Sequence, residues 1–136
     1  MDTIKLKCDG KEFKLKLLNS SYEGEFKEYL SKVISKRTNG KLGKETQESY
    51  LTLLKKIIET ELKPNYIATK NFNIYQVDDI KILECLLSEI KILIKEIKNK
   101  NIPLHKPNKT YKIGDVGTSL QHYIDFLNIK NRLSKL

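Results

Sequence analysis

The chain has no tryptophan, a single methionine and only two histidines, His105 and His122. Histidine is the side chain best suited to move protons near neutral pH, and neither copy stands in a recognisable motif: His105 falls in a loop pattern and His122 beside Tyr123 in a helical one. There is no glycine-rich phosphate loop, no nucleophile elbow and no pair of residues at zinc-ligand spacing. These absences predict a protein that is not an enzyme and that needs no cofactor or metal. Cysteine is scarce too. Cys8 and Cys85 lie far apart and match neither a metal spacing nor a disulfide framework, so both are expected to be core thiols of a protein in a reducing, cytoplasmic setting. No uninterrupted apolar run is long enough to span a bilayer. The longest apolar-rich stretch, Ile80 to Ile97, is broken by Lys81, Glu84, Glu89, Lys91, Lys95 and Glu96. Met1-Asp2-Thr3-Ile4-Lys5 alternates charge with apolar residues and does not resemble a signal peptide. No membrane partner is expected.

What is present is lysine. The 136 residues carry a net charge of +9, 32% of them are charged and 39% are apolar. That length suffices for the core of one domain, spanning 1–136, with the charge spread over its faces. Such an excess favours a polyanion or an acidic protein surface as partner. An AT-rich coding sequence drifts toward the same composition without any function. Arginine is nearly absent, with only Arg37 and Arg132, which argues against dense bidentate reading of base edges.

Hydrophobic periodicity divides the chain. Ile4, Leu6 and Cys8 alternate with Lys5 and Lys7, Asp9-Gly10 follows, and Phe13, Leu15 and Leu17 alternate with Lys14 and Lys16. This pattern predicts a β-hairpin over 1–18 with one buried face and one lysine-coated face. The remainder, 19–136, reads as a helical bundle. Asn19-Ser20-Ser21 offers caps for a first helix in which Tyr22, Phe26, Tyr29, Leu30, Val33 and Ile34 recur as far as Lys36 or Arg37. After the break at Thr38 to Gly43, a second helix is predicted from about Lys44 to Leu62, ended by Pro64. Asn65 to Gln76 reads as an irregular connection with Tyr66, Phe72 and Tyr75 folded onto the core. Asp78-Asp79 opens a central third helix through Ile97. Asn99 to Gly117 reads as a basic loop, and a last helix begins at Thr118 or Ser119 with Leu120, Tyr123, Ile124, Phe126 and Leu127 inward.

Basic residues gather around the junction of the first two helices. Lys32, Lys36, Arg37, Lys41 and Lys44 surround it, and Lys55 and Lys56 follow. A cluster of this kind can neutralise phosphates, and the opening turn of a helix near Gly40 to Thr46 would add backbone amides and the Thr46 hydroxyl. The candidate nucleic-acid-binding residues are therefore Lys36, Arg37, Lys41, Lys44, Thr46, Lys55 and Lys56. The alternative is that these lysines only keep a helical surface soluble.

Phe26 and Tyr29-Leu30, a short basic turn, then Leu42-Gly43-Lys44-Glu45-Thr46-Gln47-Glu48-Ser49-Tyr50 with Leu53-Leu54 and Ile57, resemble the first two helices of the core-binding domain of tyrosine recombinases, the phage-integrase type. Leu42, Thr46 and Tyr50 match that family's pattern, and Gly43 stands where the family has serine. Leu120 to Leu127 resembles the closing helix of similar modules in bacterial restriction and mobile-element proteins. The resemblance implies a mainly α fold, a four-helix SAM-like bundle carrying an N-terminal β-hairpin, that holds duplex DNA through its phosphates. The recombinases' catalytic domain has no counterpart here, and the hairpin is foreign to that module. Two other functions suit the composition: a small phage or mobile-element protein that docks on an acidic protein surface to inhibit or modulate its partner, and a homo-oligomer paired through the hairpin edge.

Overall fold

The computed structural model describes residues 3–34, 40–56, 66–68, 72–100 and 113–134. Four helices and a small sheet make up these parts: β1 (Thr3–Cys8), β2 (Lys11–Lys16), α1 (Glu23–Leu30), α2 (Lys44–Lys56), β3 (Tyr66–Ala68), α3 (Ile80–Lys100) and α4 (Ile113–Ser134). The architecture is mainly helical with an N-terminal hairpin, as the periodicity predicts.

The hairpin forms because its turn residues accept the backbone it needs. Asp9 and Gly10 both take positive φ, 51° and 72°, the combination that matches the twist of two antiparallel strands. The register then sets Ile4 against Leu15, Leu6 against Phe13 and Lys5 against Lys14. Ile4, Leu6, Cys8 and Leu15 are buried while Lys5, Lys7, Lys14 and Lys16 are exposed. A correction enters at β3. The segment read as an irregular connection contributes a short strand that pairs antiparallel with β1, Leu6 opposite Ala68 and Cys8 opposite Tyr66. The sheet order is β2-β1-β3, which makes β1 the central strand.

α1 ends at Leu30, well short of the predicted Lys36. The Ser31 hydroxyl turns back to the Glu28 carbonyl at 2.6 Å. The Lys32 and Val33 amides then reach only three residues back, to Tyr29 and Leu30. Val33 and Ile34, whose branched side chains suit extended backbone, leave the helix. Ile34 forms an antiparallel bridge with Lys41, and the Leu42 amide donates to the Val33 carbonyl. α2 starts at Lys44 as predicted; Ile57, Ile58 and Leu62 lie outside the described residues. α3 starts at Ile80 behind Asp79, whose carboxylate accepts from the Lys81 and Ile82 amides at 3.1 and 3.4 Å, a cap worth about 1 kcal/mol. α4 begins at Ile113, earlier than predicted. Gly114 and Gly117 each cost only about 1 kcal/mol in a helix, too little to stop one of 22 residues that buries Val116, Leu120, Tyr123 and Leu127. Of the predicted basic loop, residues 101–112 lie outside the described residues.

α4 packs on both α3 and α2, α1 touches α2 and α4, and β1 lies on α3. One buried cluster draws on the hairpin, all four helices and a 3-10 turn at Ile74–Gln76. That turn joins the parts. Its backbone accepts from the Leu18 and Tyr22 amides, the buried Tyr75 hydroxyl donates to the Leu51 carbonyl of α2 at 2.8 Å, and the Tyr123 hydroxyl of α4 donates to the Val77 carbonyl at 2.8 Å. Burial raises both phenol pKa values above the ordinary tyrosine range.

Candidate nucleic-acid interface

The junction between α1 and α2 is where the sequence places its basic cluster. The Ile34–Lys41 bridge brings the chain back so that Lys41, Gly43, Lys44 and Thr46 stand exposed together around the opening turn of α2. A Cβ added to Gly43 would meet nothing within 4 Å, so the approach to this turn is open. Leu42 packs partly on the core, and the Gln47 side chain donates to the Leu42 carbonyl at 2.9 Å, fixing the entry to the helix. The first-turn amides of α2 together with two ammonium groups can accept an anion there.

Lys55 contributes less. The Lys55 ammonium is held by the Glu23 carboxylate of α1 at 2.8 Å, an ion pair that links the two helices and competes with any phosphate. Glu45 and Glu48, both exposed on α2, dilute the positive field further. The backbone of Lys56 closes the described part of α2, and Lys36 and Arg37 lie outside the described residues. Tyr29 and Tyr50 are partly buried against the core.

Two arrangements escape sequence reading. Cys8 and Cys85, 77 residues apart, place their sulfurs 2.9 Å from each other. Both are free thiols; Cys8 is buried, and its pKa is raised by desolvation and by its contact with Cys85. Cys85 is half-buried and lines a cavity of about 330 Å³ between the hairpin turn and α3, with Asp9, Lys11, Phe13, Lys81, Glu84 and Ser88. The second is on α4, where Ile129 and Leu133 are exposed one turn apart. Lys130 between them donates to Glu25 at 2.7 Å and lies 4.9 Å above the Tyr22 ring.

His122 rests 5.6 Å from the Tyr50 ring, and burial lowers its pKa against the opposing pull of Asp125. Among the described residues, no three of His, Cys, Asp or Glu gather as a metal site would require, and no helix is long and apolar enough to cross a membrane. No family model matches the chain, and neither does any curated protein or solved structure.

Proposed function

We propose that this chain is a non-catalytic nucleic-acid-binding domain that holds duplex DNA by its phosphates. The observation that carries the reading is the open turn at the start of α2, where Lys41, Lys44 and Thr46 stand exposed beside unhindered backbone amides. Net charge +9 supplies the long-range attraction, and two arginines among the cations suit contact with the backbone more than with base edges. The SAM-like arrangement implied by the recombinase resemblance belongs to the same proposal. Its support is the α1–α2 pair, with Phe26 buried and Tyr29 and Tyr50 packed against the core beside it.

The test is fluorescence anisotropy with labelled duplex DNA across a salt series. Each phosphate neutralised steepens the fall of log affinity with log salt by about 0.9. Lys41→Glu with Lys44→Glu should weaken binding to all sequences alike and flatten that slope by nearly 2, at about 0.9 for each of two contacts. Affinity independent of salt would sink the reading. A protein-binding role is the second reading, favoured by the exposed Ile129 and Leu133 pair on α4. It predicts that Ile129→Glu with Leu133→Glu abolishes association with a protein partner and leaves DNA affinity untouched.

A further inference from the structure

The fold assembles a second concentration of positive charge, on the outward face of the sheet. The exposed residues on that face are Thr3, Lys5 and Lys7 of β1 and Glu12, Lys14 and Lys16 of β2. Register sets Thr3 against Lys16, Lys5 against Lys14 and Lys7 against Glu12. Four lysines against one carboxylate leave the face at net +3. Lys11, opposite Cys8, belongs to the other face and lines the cavity beside Cys85.

Three features separate this face from a lysine coat that only solvates a sheet. Lys5 and Lys14 are directly cross-strand neighbours, a like-charge pairing that costs stability where a Lys–Glu pair would add to it. Lysines commonly guard the outer strands of a sheet against pairing with another chain. Here β1 is the central strand, and β3 pairs with it over Leu6 to Cys8, so Lys7 guards no edge. Finally, Glu23, Glu25 and Glu28 of α1 pair with Lys55, Lys130 and Lys32, whereas none of Lys7, Lys14 and Lys16 forms an ion pair among the described residues.

The dimensions suit a duplex. Alternate residues on a strand are about 6.7 Å apart, so the three cross-strand rows span about 13 Å. Over about 13 Å of its axis a DNA duplex presents about eight phosphates, several of them on the side facing the protein. β1 and β2 place no aromatic ring on this face, Phe13 being turned inward opposite Leu6, and without rings there is no platform on which unpaired bases could stack.

We propose that the outward face of the hairpin is a phosphate-binding surface, with Lys5, Lys7, Lys14 and Lys16 gripping the backbone of duplex DNA. This deepens the nucleic-acid-binding reading and rests on it, while moving much of the contact from α2 to the sheet.

The experiment compares the native chain, a Lys5→Glu/Lys16→Glu variant and the Lys41→Glu/Lys44→Glu variant against a labelled duplex of about 20 base pairs, between about 50 and 200 mM salt. Lys7→Ala/Lys14→Ala supplies an independent second pair, and thermal melts of every variant check folding. The sheet variants should bind at least about tenfold more weakly at the lower salt, with a slope shallower by about 1.8. Loss in the sheet variants, with or without loss in the α2 variant, upholds the inference; loss restricted to the sheet variants also removes α2 as the DNA site. Loss in the α2 variant alone overturns the inference and leaves the α2 reading standing. Unchanged affinity in all variants, or tighter binding to single-stranded DNA or duplex RNA than to duplex DNA, overturns it. A native chain that binds no nucleic acid at low salt overturns both.

Discussion

Phe26 carries most of what holds α1 to the protein. That helix has eight residues and buries only Phe26 and Leu30. The Phe26 ring is fully covered and lies 5.2 Å from the Tyr123 ring, 5.7 Å from Phe126, 6.0 Å from Tyr75 and 6.2 Å from Tyr29. Removing a buried phenylalanine to alanine forfeits its transfer energy and leaves a cavity, together about 3–5 kcal/mol, and the lost edge contacts with Tyr123 place this site toward the upper end. Against a total stability of about 5–15 kcal/mol, Phe26→Ala should leave a barely folded protein. Unfolding entropy is about 2.1 cal/mol/K per residue, so for 136 residues a loss of about 4 kcal/mol lowers the melting temperature by about 14 °C. Phe26→Leu, which keeps most of the volume, should lose less than half as much. Urea titration followed by far-ultraviolet circular dichroism measures both, with tyrosine fluorescence as a second probe. A loss under about 1 kcal/mol for Phe26→Ala, with an unchanged denaturant slope, would mean that α1 does not pack through this ring.

Exposure to oxidised glutathione should join Cys8 to Cys85, two thiols giving one disulfide and two molecules of reduced glutathione. Closing a loop of 77 residues stabilises by about 4.5 kcal/mol in the chain-entropy treatment. Thiol counting and urea titration should show both changes in the native chain and neither in Cys85→Ser; an oxidised monomer no more stable than the reduced one would refute the contact. The pKa of His122 is lowered by burial from its ordinary 6.5, so below that value the unfolded chain takes up a proton that the folded chain resists. Stability should therefore fall as pH drops from about 7 through 6.5 toward the folded pKa, and His122→Gln should flatten that part of the profile. Identical slopes in the two proteins would show that His122 titrates as it does in an unfolded chain.

The elements that sequence patterning reveals are those whose signal is local. Asp9-Gly10 between alternating runs specifies the hairpin and its register, and Asp79 before the stripe from Ile80 marks the start of α3. β3 escapes because three residues hold no readable period, and its partner β1 lies about 60 residues upstream. The end of α1 is misplaced because Val33 and Ile34 continue the helical spacing while the bridge from Ile34 to Lys41 pulls them out of it. Tertiary pairing overrides a local pattern. In the basic cluster, Lys41 and Lys44 are legible as an exposed pair beside a helix start. The diversion of Lys55 to Glu23 is not, because an ion pair between helices leaves no trace in the spacing of either one. The lysine coat of the hairpin is legible; its place on a central strand requires β3.

The central position of β1 also sets a timetable. Tyr22 donates its amide to Tyr75, β1 pairs with β3, and Phe26 rests among Tyr75, Tyr123 and Phe126. The inner face of the hairpin and of α1 thus waits for partners synthesised much later. At about 5–20 residues per second, the roughly hundred residues from Phe26 to Phe126 take a ribosome about 5–20 s. Throughout that interval a two-stranded ribbon with one oily side is in contact with the cell's interior. The lysines on its other side make each nascent copy repel the next, so the charge that coats the folded sheet also protects the chain before it has a fold.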